Sequence, residues 1–136
     1  MHHQWLRFFD QRLAGLNLTH LQFVLLAACD LLARGGELPS QSRLASFTAF
    51  DKMMVSKALR LMESKGYLKR RRHPDDPRAK CIELTREGSR VLHRAKTIAD
   101  KALGEFFGVL GRDQRSLSAL LQQLMLAHGA ECPAAA

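Results

Sequence analysis

The stretch KGYLKRRRHPDDPRAKCIELTREG, Lys65 to Gly88, decides how the chain folds. Up to Gly66 the apolar residues recur with a helical period; beyond it they alternate. Leu68 lies in the run YLKRRR, and in AKCIELT the apolar Ile82 and Leu84 alternate with Cys81 and Glu83, the period-two pattern of a half-buried strand. Between the two runs the segment HPDDPR, rich in proline and aspartate, reverses the chain. The expected element is a β-hairpin. Its central positions, Lys69 to Lys80, hold six basic residues, yet Asp75 and Asp76 stand side by side in their middle. Asp75, with Pro74, is expected to shape the turn.

Working outward, the segment before the hairpin reads as three helices. LNLTHLQFVLLAACDLLARGG begins with a capping Thr19, is apolar on most faces and stops at Gly35-Gly36, so it is expected to be a central, buried helix. PSQSRLASFT is short, capped by Ser40, with Leu44 and Ala45 facing inward. FDKMMVSKALRLMESKGYL is capped either by Asp51 or by Thr48 in a Thr-x-x-Asp box, and ends at Gly66. Val55, Leu59 and Met62 fall at i, i+4 and i+7 and form its core stripe. The opposite face carries Lys52, Met53, Ser56, Lys57 and Arg60.

After the hairpin, Thr85 caps a long helix expected to reach about Leu110, with Leu92, Ala95, Ala99, Ala102, Leu103 and Phe106 along an apolar seam. A last helix, from about Asp113 to Ala127, places Leu117, Leu120, Leu121 and Leu124 on one stripe. The fold class is therefore mainly α with a small antiparallel β-hairpin. Two helices joined by a tight turn and followed by a basic hairpin form the layout of a winged helix-turn-helix, in which the second helix enters a major groove and the hairpin reaches the flanking backbone or minor groove.

Charge supports that layout. The 136 residues carry a formal net charge of +8, and positions 51–80 hold ten of the 21 basic residues against four of the 13 acidic ones, so most of the excess is local. A concentrated basic patch displaces counterions from a polyanion. No apolar run is long enough to span a bilayer, since LQFVLLAACDLLA is short and broken by Asp30, and no secretory leader is seen, so a cytoplasmic location is expected. Cys29, Cys81 and Cys132 are odd in number and lack a CxxC, which disfavours a disulfide framework. The histidines do not group at metal-ligand spacing, and neither a nucleophile elbow nor a phosphate loop is present, so neither catalysis nor a cofactor is expected.

Taken in order, LTHLQFVLLAA, LAS followed by FDKMMVSKALRLMESKGYLKRR, and DDPRAKCIELTREG resemble the MarR family of bacterial transcription regulators over roughly Leu18 to Leu92. The specific part is Asp76-x-Arg78-Ala79 followed by LTREG. The resemblance implies a homodimer, with 1–17 as an N-terminal dimerisation helix, 18–88 as a winged helix-turn-helix that binds double-stranded DNA, and 89–130 as C-terminal dimerisation helices; 131–136 reads as a frayed tail. It implies a sequence-specific regulator, a repressor of a pseudo-palindromic operator released by a small-molecule effector. A winged-helix protein-interaction or nonspecific architectural module is the alternative.

The family's contacts map onto Lys52, Met53, Ser56, Lys57 and Arg60 of the recognition helix and onto Arg78 of the wing, with Arg70, Arg72 and Lys80 as further wing cations. Asp76 is expected to orient Arg78 by holding its guanidinium. Relatives commonly carry small hydroxyl residues where Met53 and Met54 stand; Met53 suits a thymine methyl, and Met54 is expected to be core filler beside Val55. The family also couples DNA affinity to a small phenolic or anionic ligand, or to cysteine oxidation. Trp5, Phe9 and His20 would serve an effector pocket, and equally a dimer core. Cys29 reads as structural, and Cys81, beside Lys80, as the candidate oxidant sensor.

Overall fold

Each of the three helices immediately before the hairpin begins where the sequence offers an oxygen to its free N–H groups: Thr19, Ser40 and Asp51. The structure, a computed structural model, describes residues 2–76 and 78–127. In chain order the elements are α1 (His2–Leu13), α2 (His20–Arg34), α3 (Gln41–Thr48), α4 (Lys52–Ser64), β1 (Leu68–Arg72), β2 (Lys80–Leu84), α5 (Arg86–Phe107) and α6 (Asp113–Ala127), with 3-10 turns at Ala14–Leu16 and Gly108–Leu110. Thr19 and Gln22 form a reciprocal capping box at the start of α2, and Ser40 caps α3 through the Arg43 N–H. At α4 the cap is Asp51, whose Oδ1 accepts the N–H groups of Met53 and Met54 at 2.9 and 3.1 Å. Thr48 instead donates its hydroxyl to the Leu44 carbonyl one turn back in α3, so the Thr-x-x-Asp box does not form.

The chain divides into two compact units, Met1–Ala99 and Asp100–Ala136. In the first, α2, α3 and α4 enclose a core in which Leu25, Leu26, Leu44, Val55, Leu59 and Met62 have no exposed surface. Each fully buried leucine of this kind contributes about 2 kcal/mol. The hairpin is antiparallel, pairing Leu68 with Leu84 and Arg72 with Lys80. Leu68 and Ile82 extend the core into the root of the wing, and the Ile82 N–H donates to the Pro39 carbonyl, tying β2 to the segment before α3.

Gly66 ends α4 with a φ of +74°, the left-handed turn that lets the chain leave the helix and enter β1. Thr85 then closes the root of the wing from the other side. Its hydroxyl donates to the Gly66 carbonyl and accepts the Gly88 N–H, and its own N–H donates to the Tyr67 carbonyl. Gly88 lies so close to this junction that a Cβ there would sit 1.8 Å from the Tyr67 carbonyl oxygen.

The second unit buries only part of the expected seam and leaves most of the expected stripe in solvent, as a dimerisation helix would within one chain. Ala102 is buried, but Leu103 is exposed, and α5 gives way to its 3-10 turn at Gly108, short of Leu110. On α6, which has the expected bounds, Leu120 and Leu124 are 59% and 58% exposed, and Leu121 and Leu126 are also exposed. The tail, 131–136, lies outside the described residues.

Candidate nucleic-acid interface

Lys52, Met53, Lys57 and Arg60 are exposed on α4 and Ser56 is half-buried, while Val55, Ala58, Leu59 and Met62 are buried on the other side. Met54 does not fill the core: it is 52% exposed, and Met53 is 78% exposed. The reason is angular. At about 100° per residue, position 54 sits roughly a quarter-turn from the middle of the buried stripe, so its side chain leaves along the flank of the helix. Two thioethers therefore stand beside lysines at the first turn of α4.

Along the wing, the acidic residues select which cations remain available. Glu83 on β2 lies opposite Lys69, and its Oε2 is 3.3 Å from Lys69 Nζ and 3.1 Å from Arg71 Nε. Glu63, on the last turn of α4, has Oε2 3.2 Å from Arg70 Nε. Lys52, Lys57, Arg60, Arg72, Arg78 and Lys80 have no acidic partner within ion-pair distance among the described residues. Arg60, Glu63, Arg70, Arg71, Arg72 and Lys80 line an open groove of about 520 Å³ where α4 faces the hairpin.

The wing tip is a hydrogen-bonded turn. The His73 N–H donates to the Ala79 carbonyl at 2.9 Å and the Ala79 N–H to the Asp76 carbonyl at 3.0 Å. Asp76 Oδ1 accepts the Arg78 backbone N–H at 2.9 Å. The expected guanidinium pair between these two residues is absent from the described contacts: a carboxylate two residues before an N–H meets the backbone first, through an Asx turn, and leaves the Arg78 side chain exposed. Asp75 sends its N–H to His73 Nδ1 at 3.2 Å, which braces the same turn.

Trp5, Phe9 and His20 do come together, but as packed rings. Phe9 is buried at the centre, with ring centroids 5.0 Å from Trp5, 5.3 Å from His20 and 5.7 Å from Phe23. A nearby recess of about 420 Å³ is lined by Asp10, Thr19, Gln22, Leu61 and Lys65 among others, and by none of the three. Nor does either described cysteine present an accessible thiol. Burial, with the charge of Asp30 adding to it, pushes the Cys29 thiol up to about 12. Cys81 is 1% exposed, with Sγ 3.6 Å from the Arg71 carbonyl, so its candidacy as a sensor fails on access. Cys132 lies outside the described residues. Among the described residues no three His, Cys, Asp or Glu side chains cluster as metal ligands, and no single helix is long and apolar enough to cross a membrane.

The sequence reading missed Glu63, Glu83 and Gly88. Glu83 was accessible in principle, because pairing Leu68 with Leu84 puts Lys69 opposite it. Glu63 and Arg70 lie seven residues apart across a helix-to-strand boundary, where neither period links them. Gly88 carries no local turn signal and owes its identity to a close approach.

A helix pair with an outward basic helix, followed by a hairpin whose cations lie beside that helix, defines a winged helix-turn-helix, the architecture of a DNA-binding transcription regulator. The MarR family model matches residues 18–80. YdcH of Bacillus subtilis (strain 168), an uncharacterized HTH-type transcriptional regulator, is 37% identical over 120 residues, which span 88% of this chain and 82% of YdcH. The chain belongs to the MarR family. Among solved structures, the transcriptional repressor CouR bound to a 23-mer DNA duplex superposes with a TM-score of 0.78 at 27% identity, covering 93% of this chain and 86% of that one. CouR from Rhodococcus jostii RHA1 bound to p-coumaroyl-CoA gives a TM-score of 0.79 at 22% identity, covering 96% and 88%. Wild-type MarR from E. coli in its apo form gives 0.78 at 21%, covering 91% and 90%.

Proposed function

We propose that this regulator is a repressor that binds a pseudo-palindromic operator as a homodimer, with α4 in the major groove and Arg78 of the wing in the adjacent minor groove. The observation that carries the reading is the distribution of unpaired cations. Among the described residues of α4 and the wing, Lys52, Lys57, Arg60, Arg72, Arg78 and Lys80 are the cations without a carboxylate in ion-pair range, and they lie on the two elements that would straddle one phosphate backbone. Met53 and Ser56 take base edges in this reading, and the lysines take phosphates.

The dimer rests on α6. An exposed row of Leu120, Leu121 and Leu124 is more apolar surface than a helix leaves in water without a partner. In this division of labour 18–88 bind DNA while 1–17 and 89–130 pair the protomers. Two-fold symmetry sets the recognition helices about 34–36 Å apart and calls for inverted half-sites. One CouR has been seen on a DNA duplex, and the CouR of Rhodococcus jostii RHA1 with p-coumaroyl-CoA; release by a small-molecule effector is the mode of control proposed here. The protein works in the cytoplasm and catalyses no reaction.

Selection of bound sequences from a random duplex pool, with salt titration of the winners, tests the proposal. The expected result is an inverted repeat, with log affinity falling by about 0.9 per log unit of salt for each phosphate contact. Equal binding to all duplexes would reject it in favour of a nonspecific architectural or protein-interaction role.

A further inference from the structure

We propose that Arg70, although it sits in the basic run of the wing, is a positioning residue: braced against Glu63, it sets the tilt of the wing relative to the recognition helix. The inference rests on the DNA-binding reading above and deepens it.

The geometry separates Arg70 from its neighbours. β1 places Lys69 and Arg71 on one face, where both meet Glu83, and turns Arg70 to the other, back toward the last turn of α4. There Arg70 Nε lies 3.2 Å from Glu63 Oε2, with side chains 26% and 40% exposed. Nε and Nη2 of Arg70 are buried and have no aligned hydrogen-bond partner, so the contact is an ion pair held in a cramped setting. The outward wing cations Arg72, Arg78 and Lys80 are exposed and have no such carboxylate. A phosphate approaching Arg70 would have to approach Glu63 as well, with like charges facing each other.

A brace is needed at this point because α4 and the hairpin are joined through the short turn around Gly66, and an isolated two-stranded hairpin is marginally stable. Thr85 fixes the root of the wing at Gly66 and Tyr67. A second tie, farther out at Arg70, turns a hinge into a fixed angle. That angle sets the distance from the bases under α4 to the groove reached by Arg78, so it governs whether both elements engage one operator together.

The test uses the full-length protein and an operator obtained by random-pool selection. Glu63→Gln, Arg70→Gln and the charge reversal Glu63→Arg/Arg70→Glu are compared with wild type for affinity, salt slope and thermal unfolding. If Arg70 positions the wing, each single substitution weakens operator binding about five- to tenfold without changing the salt slope, and the reversal returns affinity to within about twofold of wild type. If Arg70 instead contacts a phosphate, Arg70→Gln lowers the slope by about 0.9 per contact, Glu63→Gln tightens binding, and the reversal does not rescue. Any of those three results overturns the proposal, as does a pair of single variants with wild-type affinity. Should a single variant unfold, the reversal, which keeps one charge of each sign at the site, still decides between the two. A wild type that binds operator and scrambled duplex alike overturns the DNA reading itself, and is seen before any variant is made.

Discussion

Removing a negative charge from a basic DNA-binding wing ought to tighten its grip on a polyanion; at Asp76 the structure predicts the reverse. Asp76 Oδ1 accepts the Arg78 N–H at 2.9 Å, and the Asp76 carbonyl accepts the Ala79 N–H at 3.0 Å, so one residue fixes two successive N–H groups of the wing tip. Asp76→Ala deletes the first of these bonds. An exposed, charge-assisted bond of this kind contributes about 1 kcal/mol net, and here it acts by holding the tip in the conformation from which Arg78 departs. A dimer uses two wings, which gives about 2 kcal/mol and roughly a 30-fold loss of operator affinity. The opposing electrostatic gain is smaller. A unit charge about 7 Å from a phosphate in water interacts by roughly 0.6 kcal/mol before screening, so relief at two wings amounts to about 1 kcal/mol at most and leaves a net loss between about fivefold and 30-fold.

Two companion variants divide the effect. Asp76→Asn keeps an oxygen that can accept the Arg78 N–H and loses only the charge, so its affinity should stay within about threefold of wild type, on the tighter side. Asp75→Asn removes a charge whose side chain is 92% exposed and whose described ion pair, to His73 at 4.0 Å, is at the limit of contact; it too should bind as tightly as wild type or slightly better. Fluorescence anisotropy on the selected operator at 0.15 M salt measures all three. Asp76→Ala binding as well as Asp76→Asn would refute the argument, because the turn bond would then count for nothing. If Asn failed as badly as Ala, the carboxylate charge rather than its backbone acceptor role would be what matters.

Three further tests follow from the packing. Gly88→Ala places a Cβ 1.8 Å from the Tyr67 carbonyl oxygen and 2.7 Å from its carbon, both backbone atoms, so the start of α5 must move off the root of the wing; a loss of about 2–3 kcal/mol is expected by thermal unfolding, and a wild-type Tm would contradict it. Gly104→Ala is the control in the same helix: nothing lies within 4 Å of its added Cβ, and it should gain roughly 0.5 kcal/mol. Burial works against the charge of Asp30, but hydrogen bonds from Lys96 and Arg34 and their positive charges outweigh it and hold the carboxyl below its ordinary value. Its stabilisation is thus fully present above the unfolded-state value of about 3.9 and is lost as pH falls through the lower folded value, so Asp30→Asn should cost about 1 kcal/mol at pH 7 and the two proteins should converge in acid. A stability gap that widens below pH 4 would show the sign to be wrong. Leu120→Glu/Leu124→Glu on the exposed row of α6 should turn a sedimenting dimer into a monomer with helical circular dichroism retained, and an unaltered dimer would exclude α6 from the interface.

The parts of the fold that were legible in the sequence are those written in local chemistry. The caps Thr19, Ser40 and Thr85, the Gly66 stop and the strand β2 each depend on residues within a few positions, and each appears where its residues place it, although burial in β2 does not alternate: Cys81 is buried beside Ile82, and Leu84 is half-buried. Choices between two adequate local partners were not legible. Thr48 and Asp51 could both have capped α4, and the outcome turned on Thr48 being inside α3, where its hydroxyl reaches back to Leu44. Burial at the edge of a stripe was not legible either: Met54 and Val55 are sequence neighbours, yet Val55 is fully buried and Met54 half exposed. Nor does an apolar stripe state which molecule covers it. Leu120 and Leu124 read as a seam in the sequence and remain in solvent within one chain.

The opening puzzle, acidic residues inside a basic segment, resolves once the carboxylates in and beside it are followed to their partners, all but the exposed Asp75, which braces the turn through its backbone N–H. Asp51 caps α4 through two N–H groups; Glu63 meets Arg70, Asp76 closes the wing tip, and Glu83 bridges Lys69 and Arg71. None of these four is spare negative charge facing the cations of the proposed DNA surface. Net charge treats them as dilution, because it adds charges without regard to distance. In the folded chain they act over about 3 Å, where they fix conformation, while the unpaired cations act on a polyanion across a solvated surface, where salt screens them. A segment made more basic by neutralising these acids would attract DNA at longer range and hold it less specifically, because its recognition helix and wing would no longer be set at one angle. Specific reading of an operator therefore depends on keeping acidic residues within the patch that attracts it.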